Sequence, residues 1–193
     1  MIPGVLCIAA GYLLGSVPAA WIITCLFGRV DIRGGADGQI SPASVYYRLG
    51  VLPFILAALM DMLLAFAAVA LARALNQSIT IAMFSGLAAM IGHNWSPLLR
   101  FKGGQGATSM TGALAAVLFW PLCCGLATAA LMMLVTRRSS LSTAIGIGVI
   151  FIVTLLLLDM GPVVFYPLIL FSVMLIKRLQ LTYAKRHMPG AAE

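Results

Sequence analysis

Charged residues are scarce in this chain. Only 9% of its 193 residues are charged, whereas a typical soluble domain carries about 25%. Acidic residues are the rarest, with five Asp and Glu against twelve Lys and Arg, while 62% of the chain is hydrophobic. A soluble core of this size could not use so much apolar surface. The composition therefore excludes an ordinary soluble domain and indicates a membrane protein.

Cysteine and histidine are also few, which limits the chemistry that the sequence predicts. The four cysteines all lie within apolar stretches, which favours small packing residues over disulfides or a metal site. The sequence contains no Ser-His-Asp, Cys-His or metal-ligand pattern, so we expect neither a metal nor a cofactor. The cysteines are Cys7, Cys25, Cys123 and Cys124.

Apolar runs recur along the whole chain and predict one all-α polytopic membrane domain over residues 1–193. The runs cover about residues 2–27, 51–75, 79–99, 107–135, 141–158 and 163–176. Most match the roughly 17 to 25 residues that cross a bilayer. The fourth is longer and is interrupted at Phe119-Trp120-Pro121, which favours a tight reversal between two short helices.

The placement of Lys and Arg supports that reversal, because these residues concentrate in cytoplasmic loops. With the reversal there are seven transmembrane helices, two of them short, and every Lys and Arg except Arg73 falls on one side. The sequence thus predicts an outside N-terminus and a cytoplasmic C-terminus with a basic tail over residues 177–193. We interpret the net charge of +7 as a mark of topology, with the lipid bilayer as partner and no nucleic acid.

Two predicted cytoplasmic loops combine glycine with Lys or Arg. They are residues 28–50 and residues 92–106. Glycine lets backbone N–H groups close around a phosphate, a helix start adds a favourable dipole, and a nearby cation adds charge. The alternative is that both loops are only basic turns between helices. The segment Lys102-Gly-Gly-Gln-Gly106 is not a P-loop, because it lacks the preceding strand and the Gly-Lys-Ser/Thr ending.

Several motifs resemble the bacterial acyl-phosphate:glycerol-3-phosphate acyltransferase family (PlsY-type) over about residues 4–110. They are Gly11-Tyr-Leu-Leu-Gly-Ser-Val-Pro18, Asp31-Ile-Arg33, Leu49-Gly50, Asp61, and Gly92-His93 through Phe101-Lys-Gly-Gly104 and Gly106. The resemblance implies seven helices, a cytoplasmic active site and a role in phospholipid synthesis in the bacterial plasma membrane. It also implies acyl-phosphate as donor and glycerol-3-phosphate or a related acceptor. The residues themselves imply no covalent enzyme intermediate.

Candidate site residues follow from the two loops and from this resemblance. Lys102 and Arg33 would supply charge for the phosphate, and His93 would orient the reacting group. Ser16 and Asn94 would position polar atoms, and the loop glycines would form the cradle. The catalytic candidates are His93 and Lys102; the substrate-binding candidates are Ser16, Arg33, Gly38, Arg48, Asn94, Gly103, Gly104 and Gly106.

The chain also departs from the family pattern. Asp37 replaces a Ser, Tyr47 replaces an Arg with Arg48 one place later, and Gln105 replaces the second Lys of Lys-Gly-Gly-Lys-Gly. The Lys that follows the Asp on the second helix is missing, and the C-terminal His-Arg-Glu-Asn motif is not recognisable in residues 180–183. Fewer cations weaken a phosphate site. The alternative hypothesis is a catalytically silent relative, a structural or regulatory subunit with membrane-protein partners; transport is a third.

Asp61 and His93 each allow two interpretations. An acid within an apolar helix is usually functional or paired, so Asp61 is either the partner of a basic loop residue or an internally hydrogen-bonded acid that holds helices together. His93 is either an acid–base group or a residue that caps a helix end.

Overall fold

The computed structural model describes residues 2–28, 41–157 and 161–187, and these residues form helices without strands. The predicted all-α class is confirmed. A short 3-10 turn, Pro97–Leu99, follows the fifth helix. The helices are α1 (Ile2–Gly15), α2 (Ala19–Gly28), α3 (Pro42–Leu49), α4 (Val51–Ala74), α5 (Ile79–Asn94), α6 (Ala107–Val117), α7 (Phe119–Thr136), α8 (Ser139–Leu157) and α9 (Pro162–His187).

Five segments of the described chain are long and apolar enough to cross a bilayer. They are Ile2–Gly28, Val51–Ala74, Phe119–Thr136, Ser139–Leu157 and Pro162–Ala184. Their outer faces carry large apolar side chains; Leu134 and Leu156, for example, are 78% and 77% exposed. Such surface suits lipid rather than water. The architecture is therefore that of a multi-pass membrane protein.

Prolines divide two of the predicted runs. The first run is not one continuous helix, because α1 ends at Gly15 and α2 begins at Ala19, directly after Pro18. Proline disfavours a helical conformation in the residue before it, here Val17. The third run likewise ends as an α-helix at Asn94, and Pro97 opens the 3-10 turn.

The predicted interruption of the fourth run is present, at Leu118. This residue has φ −133° and ψ 55°, outside the helical region, and Pro121 lies in the first turn of α7, where its missing N–H costs little. Of these two helices, α6 has 11 residues and is short, whereas α7 has 18 residues and is long enough to cross a bilayer. The expectation that both helices of this pair are short is therefore corrected.

Contacts with α9 place two connections at one end of the bundle. Trp95 Nε1 donates a hydrogen bond to Gln180 Oε1 at 3.1 Å, and Arg178 Nη2 donates to Ser140 Oγ at 2.7 Å. The α5–α6 and α7–α8 connections thus lie beside neighbouring turns of α9. The chain consequently leaves this end through α6 and returns to it through α7. We call it the basic end, because Lys102, Arg137, Arg138, Lys177 and Arg178 belong to it.

Small residues let α1 approach α5 closely. A Cβ on Gly11 or Gly15 would collide with the backbone carbonyl of Ser85 or Ala89. The hydroxyl oxygen of Ser85 lies 2.9 Å from the carbonyl oxygens of Cys7 in α1 and Ala68 in α4. Such contacts join three helices where apolar packing alone gives little specificity in lipid. They fix α5, whose last turn carries His93 and Asn94, inside the bundle.

Candidate active site

The last turn of α5 is locked against the break between α1 and α2. Ser96 Oγ donates to the Ser16 carbonyl at 2.6 Å, and Ser16 Oγ donates to the Tyr12 carbonyl at 2.7 Å. A Cβ on Gly92 would collide with the Tyr12 carbonyl oxygen and lie 2.9 Å from Ser16 Oγ, so only glycine allows this approach. Ser16 and His93 line a cavity of about 10 Å³ at this contact, the size of one water molecule.

Asp61 joins α4 to the two helices that flank the glycine segment. Its side chain is 2% exposed. One carboxylate oxygen, Oδ2, accepts a hydrogen bond of 3.1 Å from Thr108 Oγ1 in α6. The other, Oδ1, lies 3.3 Å from His93 Nδ1, within ion-pair distance although not aligned as a hydrogen bond. Asp61 therefore contacts both His93 in α5 and Thr108 in α6, and it links three helices.

The glycine segment, residues 103–106, packs directly on His93 and Asn94. A Cβ on Gly103 would collide with the His93 carbonyl oxygen and lie 2.8 Å from the carbonyl carbon of Asn94. Gly106, with φ +81°, precedes α6, and a Cβ there would collide with Asn94 Oδ1. Glycine is therefore required at both positions, by close approach and, at Gly106, by the positive φ.

The Asn94 amide is buried beside the start of α6. It is fully buried, and neither its oxygen nor its nitrogen has a hydrogen-bond partner among the described residues. Buried side-chain amides are normally hydrogen-bonded, because an unpaired polar group costs about 1 to 3 kcal/mol. The N–H groups in the first turn of α6 have no partners within the helix, and they lie beside the Asn94 amide. This juxtaposition suits a ligand with several acceptor oxygens.

Two lysines stand on either side of the glycine segment. Lys102 precedes it directly and has an exposed side chain. Lys177, from α9, is 2% exposed; its Nζ lies 3.4 Å from the Phe101 carbonyl oxygen and 5.1 Å from the centre of the Trp95 ring. The sequence predicted a basic tail from residue 177 onward, but α9 continues to His187 and Lys177 is buried within it. Lys177 thus supports the loop, while Lys102, like Arg100 two residues earlier, is exposed.

The structure brings together most of the predicted site residues, but not all. Ser16, His93, Asn94, Gly103, Gly104 and Gly106 form one cluster, with Lys102 at its edge. Arg48 lies exposed on α3, whose buried Val45 packs in one apolar cluster with Leu99. Arg33 and Gly38, like Asp37, lie outside the described residues.

Sequence reasoning missed Thr108 and Lys177. Lys177 and Gln180 are three residues apart, and residues at that spacing share one face of a helix. This spacing could have predicted that both side chains face the same neighbour. Both contact Trp95. Thr108 carried no such signal, because its role depends on how α6 packs against α4.

Comparisons with known proteins agree with this architecture. The family model described as "Glycerol-3-phosphate acyltransferase" matches residues 5–187. A glycerol-3-phosphate acyltransferase of Shouchella clausii is 34% identical over 160 residues, which are 82% of this chain and 77% of that protein. One from Nitrobacter winogradskyi is 39% identical over 147 residues, 74% of this chain and 72% of the relative.

Two solved structures share the fold. Crystal structures of PlsY (YgiH), an integral membrane glycerol 3-phosphate acyltransferase, in its glycerol 3-phosphate and lysophosphatidic acid forms, superpose with TM-scores of 0.80 and 0.81. Each match covers 98% of this chain and 94% of the other, at 22% and 20% identity. The fold is thus that of a multi-pass integral membrane protein. The chain belongs to the glycerol-3-phosphate acyltransferase family, as the matched family model and the relatives above 30% identity show. The resemblance found in the sequence is confirmed.

Proposed function

We propose that this chain transfers an acyl group from acyl-phosphate to a hydroxyl of glycerol-3-phosphate. The observation that carries the proposal is the glycine segment, which packs on the buried, unpaired Asn94 amide at the start of α6 and beside the exposed Lys102. Backbone N–H groups, a helix start and a cation form a suitable site for a phosphate. The test is formation of lysophosphatidate and inorganic phosphate by the purified protein.

In the proposed reaction, the acceptor hydroxyl oxygen attacks the carbonyl carbon of acyl-phosphate. A carbon–oxygen ester bond forms, the carbonyl carbon–phosphate oxygen bond breaks, and inorganic phosphate leaves with the electron pair. The glycine segment and Lys102 stabilise charge on the phosphate, and Asn94 and Ser16 position the substrates. His93 orients the hydroxyl and takes its proton, and Asp61, 3.3 Å from His93 Nδ1, holds the imidazole in position.

The silent-relative alternative is not favoured. The chain matches its family model over almost its full length. It also retains the packed glycine segment and the Asp61–His93–Thr108 contacts despite its departures at residues 37, 47 and 105.

Asp61 acts in this proposal as a positioning residue for His93. A positioned acid–base group contributes roughly 100-fold to the rate. We expect Asp61→Asn to lose part of that factor in kcat, with little change in KM for glycerol-3-phosphate. Thr108→Val should give a smaller loss of the same kind. Thr111→Val is the matched control, because Thr111 Oγ1 donates to the Ala107 carbonyl of its own helix. An unchanged kcat in well-folded Asp61→Asn would reduce Asp61 to a link between helices.

We further propose that the basic end faces the cytoplasm of a bacterium, in the plasma membrane, with the N-terminus outside. Seven crossing segments result if α5, with 16 residues, and α6 are added to the five long ones. The charge asymmetry supports the orientation, because Arg73 lies at the opposite end, in the last turn of α4.

Cysteine-accessibility labelling in a cysteine-free background tests that orientation. Single cysteines beside Lys102 and Arg138 should react with an impermeant reagent only from the cytoplasmic side, and those beside Gln77 and Gly161 only from the outside. Labelling of the Gln77 site from the cytoplasm would overturn the arrangement.

A further inference from the structure

A second polar site lies between α8 and α9, apart from the candidate active site. The α8–α9 cleft encloses about 360 Å³. Arg178 and the hydroxyl residues Ser140, Thr143 and Thr182 line it together with apolar residues that include Phe171 and Leu175. The catalytic proposal uses none of these side chains.

The cleft is polar at the basic end and becomes apolar further into the bundle. The two helices run antiparallel, as shown by the contacts of Arg178 with Ser140 and of Phe151 with Phe165. Ser140 and Thr182 therefore lie at the basic end. Phe171 lies seven residues before Arg178 on α9, which is about 10 Å further into the bundle. A ligand that fits this gradient has a polar head and an apolar chain.

The polar head of such a ligand must be anionic, because the side chains at the open end of the cleft are positively charged. Arg178 is partly buried, and Arg137 and Arg138 are exposed in the connection that precedes α8. Asp61 is the one acidic residue within the described parts of the chain, and it is paired with His93. No described carboxylate therefore neutralises these arginines. The Arg178 guanidinium donates one hydrogen bond to Ser140 and has further N–H groups for phosphate oxygens.

We propose that the α8–α9 cleft binds an anionic phospholipid of the surrounding bilayer. Its phosphate lies against Arg178 and Ser140, with Arg137 and Arg138 near the rest of the headgroup, and one acyl chain lies along Leu175 and Phe171. Basic pockets between transmembrane helices commonly recognise acidic lipid headgroups in this way. Gln180 and Lys177 of α9 contact Trp95 and the Phe101 carbonyl oxygen, so a lipid in the cleft lies against the helix that supports the glycine segment.

Lipid binding to the purified full-length chain, measured by native mass spectrometry, tests the proposal. With dioleoyl phosphatidylglycerol and dioleoyl phosphatidylcholine at equal concentration, we expect one phosphatidylglycerol to bind preferentially. Arg178→Ala should weaken that binding roughly tenfold, as expected for a charged hydrogen bond, and leave phosphatidylcholine unaffected. Arg73→Ala is the matched control, because it removes an exposed arginine at the opposite end.

A second variant tests the apolar part of the cleft without removing a charge. Ala144 lines it, so Ala144→Trp should fill the chain site and also reduce phosphatidylglycerol binding. Equal binding of the two lipids, or unchanged phosphatidylglycerol binding in both folded variants, would overturn the proposal. Stoichiometric displacement of phosphatidylglycerol by acyl-phosphate would overturn it as well, because the cleft would then be a substrate site. None of these results depends on whether the chain is an active acyltransferase.

Discussion

Lys102→Ala is expected to lower kcat/KM for acyl transfer by roughly 10- to 100-fold, which corresponds to the loss of a charged hydrogen bond of about 1.5 to 3 kcal/mol. The physical reason is that Lys102 is exposed and directly precedes the glycine segment, while Lys177 is buried against Phe101 and Trp95. Lys102→Arg keeps the charge and should retain more activity than Lys102→Ala. Steady-state kinetics with acyl-phosphate and glycerol-3-phosphate measure both effects.

Stability should barely change in Lys102→Ala, because the exposed side chain contributes little to packing. Arg73→Ala is the control for loss of one positive charge, since Arg73 lies at the other end of α4 from the site. If Lys102→Ala and Arg73→Ala had equal activity, close to that of wild type, the glycine segment would lose its assigned cation, and the site would have to be sought elsewhere.

Gly103→Ala is expected to displace the glycine segment and to remove most activity. The new methyl group would collide with the His93 carbonyl oxygen and lie 2.8 Å from Asn94, and both contacts are with backbone atoms. Backbone gives way less easily than a flexible side chain, so overpacking of about 1 to 3 kcal/mol is expected. A displacement near 1 Å alone lowers turnover by as much as roughly 100-fold. Thermal melting and initial rates, measured well below the melting temperature, separate the two effects.

Gly148→Ala is the matched control for that substitution. Gly148 lies in α8, and among the described residues no neighbouring helix or side chain lies within 4 Å of a Cβ there, so alanine should be neutral or stabilising by up to about 1 kcal/mol. Unchanged turnover in Gly103→Ala would show that the contact with His93 and Asn94 does not position the segment.

Composition and local chemistry made much of the fold predictable. The scarcity of charge excluded a soluble domain, and Pro121 marked the break between α6 and α7. Each of these features depends on residues near one another in the chain. The division of α1 from α2 was missed because the run around Pro18 is apolar on both sides, which hides the break from a hydropathy pattern.

The site was predictable only in part, for a physical reason. The glycines and Lys102 are contiguous in sequence, so the loop could be recognised directly. The partnership of Asp61 with His93 and Thr108 depends on the register of three packed helices, which no local pattern specifies. The same holds for Lys177, whose contacts are with Trp95 and Phe101, about 80 residues away in the sequence.

The central claim is that this chain is an active acyltransferase that uses the glycine segment and Lys102. The most direct measurement incubates the purified full-length protein with acyl-phosphate and glycerol-3-phosphate and follows inorganic phosphate and lysophosphatidate together. The predicted result is equimolar formation of both products, dependent on glycerol-3-phosphate and strongly reduced in Lys102→Ala. Folded wild-type protein that forms no lysophosphatidate, or that releases phosphate equally well without glycerol-3-phosphate, would contradict the claim.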